Sequence, residues 1–252
     1  MTKPLTETTV LVTGASRGIG AAIAVRFASV GMRVVIHYLQ AHEAANEVAR
    51  QCLSYGADVL TVTADLRSKE QLERMAEKME RHGFIPDVLV NNAGVAQYGL
   101  LSEVTEEEWD YVMGVNLKGM FLCTQRFMPA MIRQKYGRII NVSSVWGISG
   151  ASCEVVYSAS KGGVNAFTKA LAKELAPSGV TVNAVAPGSV PTPGALKYVD
   201  QKEYERRAAT IPLRRIGREE DIDHALAFLL SKEASFVNGA VLHVDGGIVA
   251  AG

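Results

Sequence analysis

The sequence predicts an α/β fold on a doubly wound parallel sheet, and three observations carry that prediction. Short β-branched runs recur along the 252 residues, longer segments with helical apolar spacing lie between them, and the runs are apolar throughout rather than alternating. Strands buried on both faces have this pattern, and a helix between successive strands implies parallel pairing. The right-handed crossover rule then places helices on both sides of the sheet.

The strands, in order, are "TVLVTG" (9–14), "RVVIHY" (33–38), "DVLTVTA" (58–64), "DVLVNNAG" (87–94), "RIINVSS" (138–144), "VTVNAVAPG" (180–188) and "AVLHVDGG" (240–247). Helices are expected at 18–30, 41–55, 68–82, 105–135, 155–177 and 219–231. No Pro/Gly-rich linker, internal repeat or low-complexity tract divides the chain, so residues 1–252 read as one domain. The least regular part is 188–215, after the sixth strand. Loops at the carboxyl ends of parallel strands line the ligand crevice, which makes this segment a candidate substrate lid.

Composition bounds the partners. A hydrophobic content of 48% supplies a core for a chain of this length. With 26 Lys and Arg against 26 Asp and Glu, no global field draws the protein to nucleic acid or to an anionic membrane. Cys52, Cys123 and Cys153 are far apart, without CxxC or metal-ligand spacing to the histidines, which fits a reducing compartment and no metal. The start "MTKPLTETTV" lacks the apolar region of a signal peptide, and no apolar run approaches the ~18 residues of a membrane span. A cytoplasmic protein acting on a small or locally charged partner is expected.

"VLVTGASRGIGAAIAVRF" runs from the first strand through Gly14, Gly18 and Gly20 into a helix. Glycines there allow a tight turn, let backbone N–H groups approach a pyrophosphate and bring the helix close to the sheet. The spacing is G-x-x-x-G-x-G, so the commoner G-x-G-x-x-G fingerprint is not met literally. An acid at the end of the second strand would bind a ribose 2′-hydroxyl and repel a 2′-phosphate. Here Tyr38 stands in that place and Arg17 sits inside the turn, which favours NADP(H) over NAD(H). The alternative is that Arg17 is a solvated loop residue and that His37 and Tyr38 merely end a strand.

A second constellation lies in "YSASK" (157–161). With Tyr157 at 0° on a helical wheel, Val164, Phe167, Leu171 and Leu175 fall between about 280° and 360°, and Lys161 lies at about 40°. Tyr157 and Lys161 therefore project from the edge of an apolar stripe, where (i, i+4) spacing lets them meet. Ser144 ends a strand 13 residues earlier, at the carboxyl edge of the sheet. Hydride transfer to or from a carbon bearing oxygen requires a proton to move on that oxygen. A phenol with a pKa near ~10 needs a nearby cation to lower it, a task for Lys161, while the Ser144 hydroxyl can hold the oxygen.

With these residues the chain resembles the short-chain dehydrogenase/reductase family. "TGASRGIG", "NNAG" (91–94), "VNLKG" (115–119), "NVSS" (141–144), "YSASK", "VNAVAPG" (182–188) and "HVDGG" (243–247) occur in the family's order. The resemblance implies a Rossmann-type sheet ordered 3-2-1-4-5-6-7 and a catalytic set of Asn116, Ser144, Tyr157 and Lys161. Asn116 would organise a water serving the Lys, Ser144 would bind the substrate oxygen with Ser143 as the alternative, and Tyr157 would be the acid/base. Lys161 would hold the nicotinamide ribose and depress the Tyr pKa. Further cofactor contacts are implied for Ser16, Ile19, Asp65 and Leu66, for Asn92, Ala93 and Gly94, and for Pro187, Gly188, Val190 and Thr192.

Within the family the resemblance is to β-ketoacyl-acyl-carrier-protein reductases, which reduce a 3-keto thioester with NADPH. It implies an acidic acyl carrier protein docking on Arg133, Lys135, Arg138, Arg206, Arg207, Arg214 and Arg215, and a homotetramer. Gly162, Gly163, Ala166 and Ala170 would let a neighbouring helix approach. A broader ketone or keto ester reductase stays open because Ser178 replaces a usual basic residue and the lid is long. Outside this reading stand an NAD-dependent alcohol dehydrogenase working oxidatively and a non-catalytic dinucleotide sensor. Trp109 is expected in the core, His224 as a structural helix residue and Asp245 with Gly246 and Gly247 as a terminal turn.

Overall fold

The structure, a computed structural model, describes residues 4–193 and 201–251. Strands β1 (Thr9–Val12), β2 (Arg33–Tyr38), β3 (Val59–Thr63), β4 (Val88–Asn91), β5 (Gly137–Val142), β6 (Val180–Pro187) and β7 (Val241–Val244) form one sheet ordered β3-β2-β1-β4-β5-β6-β7. Neighbours pair in parallel, from Thr9 opposite Arg33 to Pro187 opposite Val244. The expected topology is met.

The apolar runs are explained by burial on two sides. Val10 and Val12 of β1 pack with α1 (Gly18–Ser29), α2 (His42–Ser54) and α9 (Glu219–Leu230). Leu11, between them, points to the opposite layer with α3 (Lys69–Arg81), α5 (Gly119–Gln134) and α7 (Val155–Leu175). Alternate residues of one strand thus serve two cores. On α7, Val164, Leu171 and Leu175 are buried and Phe167 is half-buried, which reproduces the wheel's stripe. Helix starts follow capping chemistry: the Ser68 side chain accepts from the Gln71 N–H at α3, and Thr105 and Glu108 form a reciprocal capping box at α4 (Glu106–Met113).

The structure changes the sequence reading in four places. The expected helix 105–135 is divided into α4, a π-helical turn (Gly114–Lys118) and α5, and the turn places Asn116 at its centre. A short helix, α6 (Trp146–Ser149), follows Ser144. The segment 188–215 contains a helix, α8 (Gln201–Thr210), whose charged sequence "QKEYERRAAT" offers little apolar periodicity to read. The expected lid's residues 194–200 lie outside the described residues. Finally, Trp109 is 42% exposed rather than core, because Val112 is the buried side chain of α4.

Asp245 is a turn residue as expected, accepting from the N–H groups of Gly247 (2.8 Å) and Val249 (2.9 Å). His224 is a surface helix residue with its Nε2 3.7 Å from Asp223 Oδ1. Among the described residues no helix is long and apolar enough to cross a membrane.

Candidate active site

The glycine turn leaves β1 at Thr13 and is tied to the turn after β4. Thr13 Oγ1 donates to the Val90 carbonyl (3.2 Å) and accepts from the N–H groups of Asn92 (2.9 Å) and Ala93 (3.0 Å). Asn92 Nδ2 donates back to the carbonyls of Thr13 (2.9 Å) and Gly14 (3.1 Å). Two glycines are required by this closeness. A Cβ at Gly14 would lie 2.8 Å from Ala93 Cα, and one at Gly20 would lie 2.4 Å from Asn92 Nδ2 and 2.5 Å from the Gly14 oxygen. Gly14 also has φ +63°, in the left-handed region.

Helix α1 begins at Gly18 with Arg17 extended at its N-cap and making no side-chain cap. Its first N–H groups are therefore presented to the crevice at the positive end of the helix dipole, which suits a pyrophosphate. Thr192 closes the other side: a Cβ at Gly18 would meet Thr192 Cβ at 3.3 Å. Ser16, Ile19 and Gly20 stand in the same turn and first helical turn.

At the adenosine end the residues are placed differently from expectation. The Tyr38 ring is buried in the core, and its hydroxyl meets His42 Nδ1 at 2.5 Å, so it does not stand free at the strand's end. Leu39 and Gln40 are the exposed residues there, and neither is acidic. The Asp65 carboxylate is bound by the Arg67 guanidinium, with Nη2–Oδ2 at 2.6 Å, and that bond holds its pKa below the usual carboxylate range. Leu66, next to it, is buried and packs with the α3 layer.

The catalytic candidates converge at the carboxyl edge. Ser144 follows β5, its Oγ accepts from the Trp146 N–H (3.2 Å), and its hydroxyl lies close enough to the Tyr157 phenol to lower that group's pKa. Ser143 instead donates to Asn165 Oδ1 (2.6 Å) and the Lys161 carbonyl (3.3 Å), which ties its hydroxyl to α7. Lys161 is 4% exposed, and its Nζ donates to the Val142 carbonyl at 2.8 Å, 5.7 Å from the Tyr157 ring centre. Asn116 Oδ1 accepts from the Val95 N–H (2.8 Å), and Nδ2 donates to the Val95 carbonyl (2.9 Å) and to Ser160 Oγ (3.0 Å). A point beside Gly94 lies 3.4 Å from Asn116 Oδ1 and 3.5 Å from Lys161 Nζ; a side chain there would fill the space between them.

Burial sets the protonation states. Desolvation pushes the Tyr157 phenol up to about 12, with Ser144 pulling it down and the Glu154 carboxylate adding to the rise. This runs against the expected depression by Lys161, whose ammonium is turned onto Val142. Desolvation lowers Lys161 to about 8. Cys52 and Cys123 are buried free thiols raised to about 11 and about 12 by desolvation, which removes them as nucleophiles at neutral pH.

A buried polar ladder supports this corner, and hydropathy alone did not signal it. Asn91 Nδ2 donates to Thr124 Oγ1 (3.0 Å) and Asn141 Oδ1 (2.9 Å), and Asn141 Nδ2 donates to Thr168 Oγ1 (2.9 Å). The ladder locks β4 and β5 to α5 and α7 below Tyr157. His37 and Glu154 were also missed. His37 had one signal, a polar side chain inside an otherwise apolar strand; Glu154 is legible only once α7 places it beside Tyr157.

Among the clasp candidates, the Gly188 N–H donates to the Val244 carbonyl (3.0 Å), Val190 is buried, and the Thr192 N–H donates to the Val190 carbonyl (2.8 Å) beside the glycine turn. Pro187 ends β6. The expected carrier-docking patch splits. Arg133 and Lys135 end α5 and Arg138 begins β5, which places them at the amino edge of the sheet, opposite Ser144 and Tyr157. Arg138 is also buried. At the carboxyl edge Arg215 is bound to Asp221 (2.6 Å), and Arg214 is bonded to the Ala209 carbonyl.

A parallel sheet crossed by a glycine turn, with a Ser–Tyr–Lys corner at its carboxyl edge, defines a dinucleotide-dependent oxidoreductase. The model described as "Enoyl-(Acyl carrier protein) reductase" matches residues 14–249, and the chain belongs to the short-chain dehydrogenase/reductase family. It is 41% identical over 238 residues to a 3-oxoacyl-(acyl-carrier-protein) reductase of Staphylococcus aureus, covering 94% of this chain and 96% of that protein. A protein of the same name from Synechocystis is 41% identical over 247 residues, covering 97% and 98%. An uncharacterised oxidoreductase of Bacillus subtilis is 39% identical over 240 residues, covering 95% and 98%. The crystal structure of levodione reductase superposes with a TM-score of 0.92 at 34% identity, covering 97% of this chain and 98% of that one. The chain is thus an oxidoreductase with a nicotinamide dinucleotide cofactor.

Proposed function

We propose that this enzyme reduces a carbonyl to an alcohol with NADPH, Tyr157 giving the proton. The observation that carries the reading is the gathering of Ser144, Tyr157 and buried Lys161 at one corner, with the Ser144 hydroxyl acting on the phenol and Lys161 Nζ 5.7 Å from its ring centre. When bound, the nicotinamide supplies the hydride that reaches the carbonyl carbon. Ser144 holds the substrate oxygen and Tyr157 donates its proton to it. A phenol raised to about 12 is protonated throughout the neutral range, as a donor must be. Asn116 braces the turn at Val95 against α7 through Ser160, and with Lys161 it faces the space beside Gly94, where a bridging water and the nicotinamide ribose would be held.

Preference for NADPH is supported by Arg17, exposed at the α1 N-cap, and by Leu39 and Gln40 where an acid would exclude a 2′-phosphate. The substrate is a 3-oxoacyl thioester, carrier-borne as in the names of the relatives, or a simpler ketone or keto ester. The family model's description names an enoyl substrate instead. A neighbouring Ser and Tyr hydroxyl suit a C=O, which has an oxygen to hold and protonate, better than a C=C. The segment 188–215 serves as the substrate lid. With Arg133, Lys135 and Arg138 at the far edge, the other residues of the basic set, Arg206 and Arg207 on α8 and Arg214 and Arg215 after it, are the ones that follow β6.

Homotetramer formation is supported by exposed Trp109, Tyr111 and Phe121 and by an open cleft of about 680 Å³ between α4, α5 and α7 that includes Leu117, Gly163 and Phe167. Three free thiols agree with a reducing, cytoplasmic setting.

A cofactor-oxidation screen with acetoacetyl thioesters, simple ketones, keto esters and a crotonyl thioester tests the reading, with NADPH and NADH compared. Oxidation of NADPH by the thioester or ketone is the expected result. Turnover of the crotonyl substrate alone would reassign the reaction to C=C reduction, and preference for NADH would overturn the cofactor assignment.

A further inference from the structure

We propose that His37 is a positioning residue for the cofactor: its neutral imidazole, in the Nε2–H tautomer, fixes the Gly14 peptide so that the α1 amides face the pyrophosphate. The inference rests on the reading that the glycine turn holds a nicotinamide dinucleotide.

The partners determine the tautomer. The Gly14 N–H reaches His37 Nδ1 at 3.1 Å, and a backbone N–H can only donate, so Nδ1 carries no proton. His37 Nε2 lies 3.0 Å from the Ala64 carbonyl, which can only accept, so Nε2 carries it. His37 contributes a third bond, because its own carbonyl accepts the Ala15 N–H at 2.8 Å. One residue of β2 therefore takes two successive amides of the turn.

The arrangement holds Gly14 from both sides. Its N–H is taken by His37 and its carbonyl by Asn92 Nδ2 at 3.1 Å, with the residue at φ +63° between them. A glycine-rich turn has many conformations to lose on binding, and ordering it beforehand removes that cost from the association step. The same ring joins the turn to Ala64, immediately before Asp65, so one side chain sets the separation between the pyrophosphate and adenosine ends of the crevice.

The environment keeps the ring neutral. His37 is 2% exposed, and its burial opposes a charge. The charged groups near it, on the turn after β3, are Asp65 and its partner Arg67. An imidazolium would set a second donor against the Gly14 N–H and break the contact.

Two variants and one spectrum test the proposal. His37→Phe keeps a ring and removes both hydrogen bonds, whereas His37→Gln restores one acceptor and one donor. Titration of NADPH into each, followed by cofactor fluorescence with circular dichroism as the folding control, should show Kd at least tenfold higher for Phe and mostly recovered for Gln. A folded Phe variant binding NADPH as tightly as the native chain would overturn the proposal and leave the dinucleotide reading standing. Failure of the native chain to bind NADPH or NADH would overturn both. Nitrogen-15 histidine NMR of the native protein needs no variant to fold: the Nε2–H pattern is expected at pH 7, and an Nδ1–H or imidazolium pattern would refute the assignment.

Discussion

The two ends of the crevice use polar side chains in different ways. At the glycine turn, Thr13, His37 and Asn92 are occupied with backbone groups, and the helix amides remain free to meet a ligand. At the catalytic corner the bracing falls to residues behind the site, namely Asn91, Asn141, Ser143, Asn165 and Thr168, while Ser144 and Tyr157 face the crevice. Binding relies on backbone held in place by side chains; chemistry relies on side chains held in place by a polar ladder. Changes at one end should therefore move affinity, and changes at the other should move turnover.

The largest break in that contrast is Tyr157→Phe. Loss of the proton donor should lower kcat by about 10²–10⁴-fold, in the range of general acid catalysis, while the Kd for NADPH stays within about twofold. Steady-state turnover and a cofactor titration on the same preparation check it, and undiminished turnover would end the proposed mechanism.

Next in size is the acid limb of stability. The folded pKa of His37, about 4, lies below its unfolded value of 6.5, so the fold binds fewer protons than the unfolded chain between them. Stability is then full above pH 6.5 and is lost as the pH falls toward 4, by about 3 kcal/mol from this residue. Urea melts at pH 7 and pH 5 should show His37→Gln losing less over that interval than the native protein.

Gly20→Ala should weaken the cofactor end alone. Its new Cβ would lie 2.4 Å from Asn92 Nδ2 and 2.5 Å from the Gly14 oxygen, and the turn must shift at a cost of about 1–3 kcal/mol. Weaker NADPH binding with an unaltered alkaline limit for reduction is the expected pattern. Equal losses in both would mean that the two ends are not independent.

The smallest effect sharpens the catalytic end. Tyr157 donates while protonated, so reduction is supported below the phenol's pKa and fails as pH rises through it, toward about 12. Glu154→Gln removes a carboxylate that raises that pKa. The alkaline limb of kcat should then begin at lower pH, and an unmoved or higher limb would show that Glu154 does not act on the phenol.

The legibility of these regions differed for physical reasons. The strands, the glycine turn and the placing of Tyr157 and Lys161 on one side of a helix follow from local rules: apolar runs mark strands buried on both faces, glycine marks close approach, and helical spacing puts residues four apart on one side; the order of the strands in the sheet came from the family resemblance. α8 was not legible because its stabilising contacts do not form a periodic stripe: Tyr204 is buried among charged neighbours. Trp109 was misread because hydrophobicity implies burial without naming the surface that covers it. The basic patch failed similarly, since "IRQKYGR" reads as one cluster until α5 and β5 carry it to the edge opposite Ser144.

The amino-acid sequence by itself therefore determined the parallel sheet, because each strand and helix is written in spacing along one segment, and the family, because its motifs recur in order along the chain; it also named the candidates for the reactive corner. Tertiary structure decided which serine faces Tyr157, that Lys161 rests on Val142, that Tyr38 is turned into the core, and that His37 holds Gly14. The serine, lysine and histidine outcomes depend on hydrogen bonds between residues 19 to 23 positions apart, and the burial of Tyr38 on the packing of separate layers over a strand end.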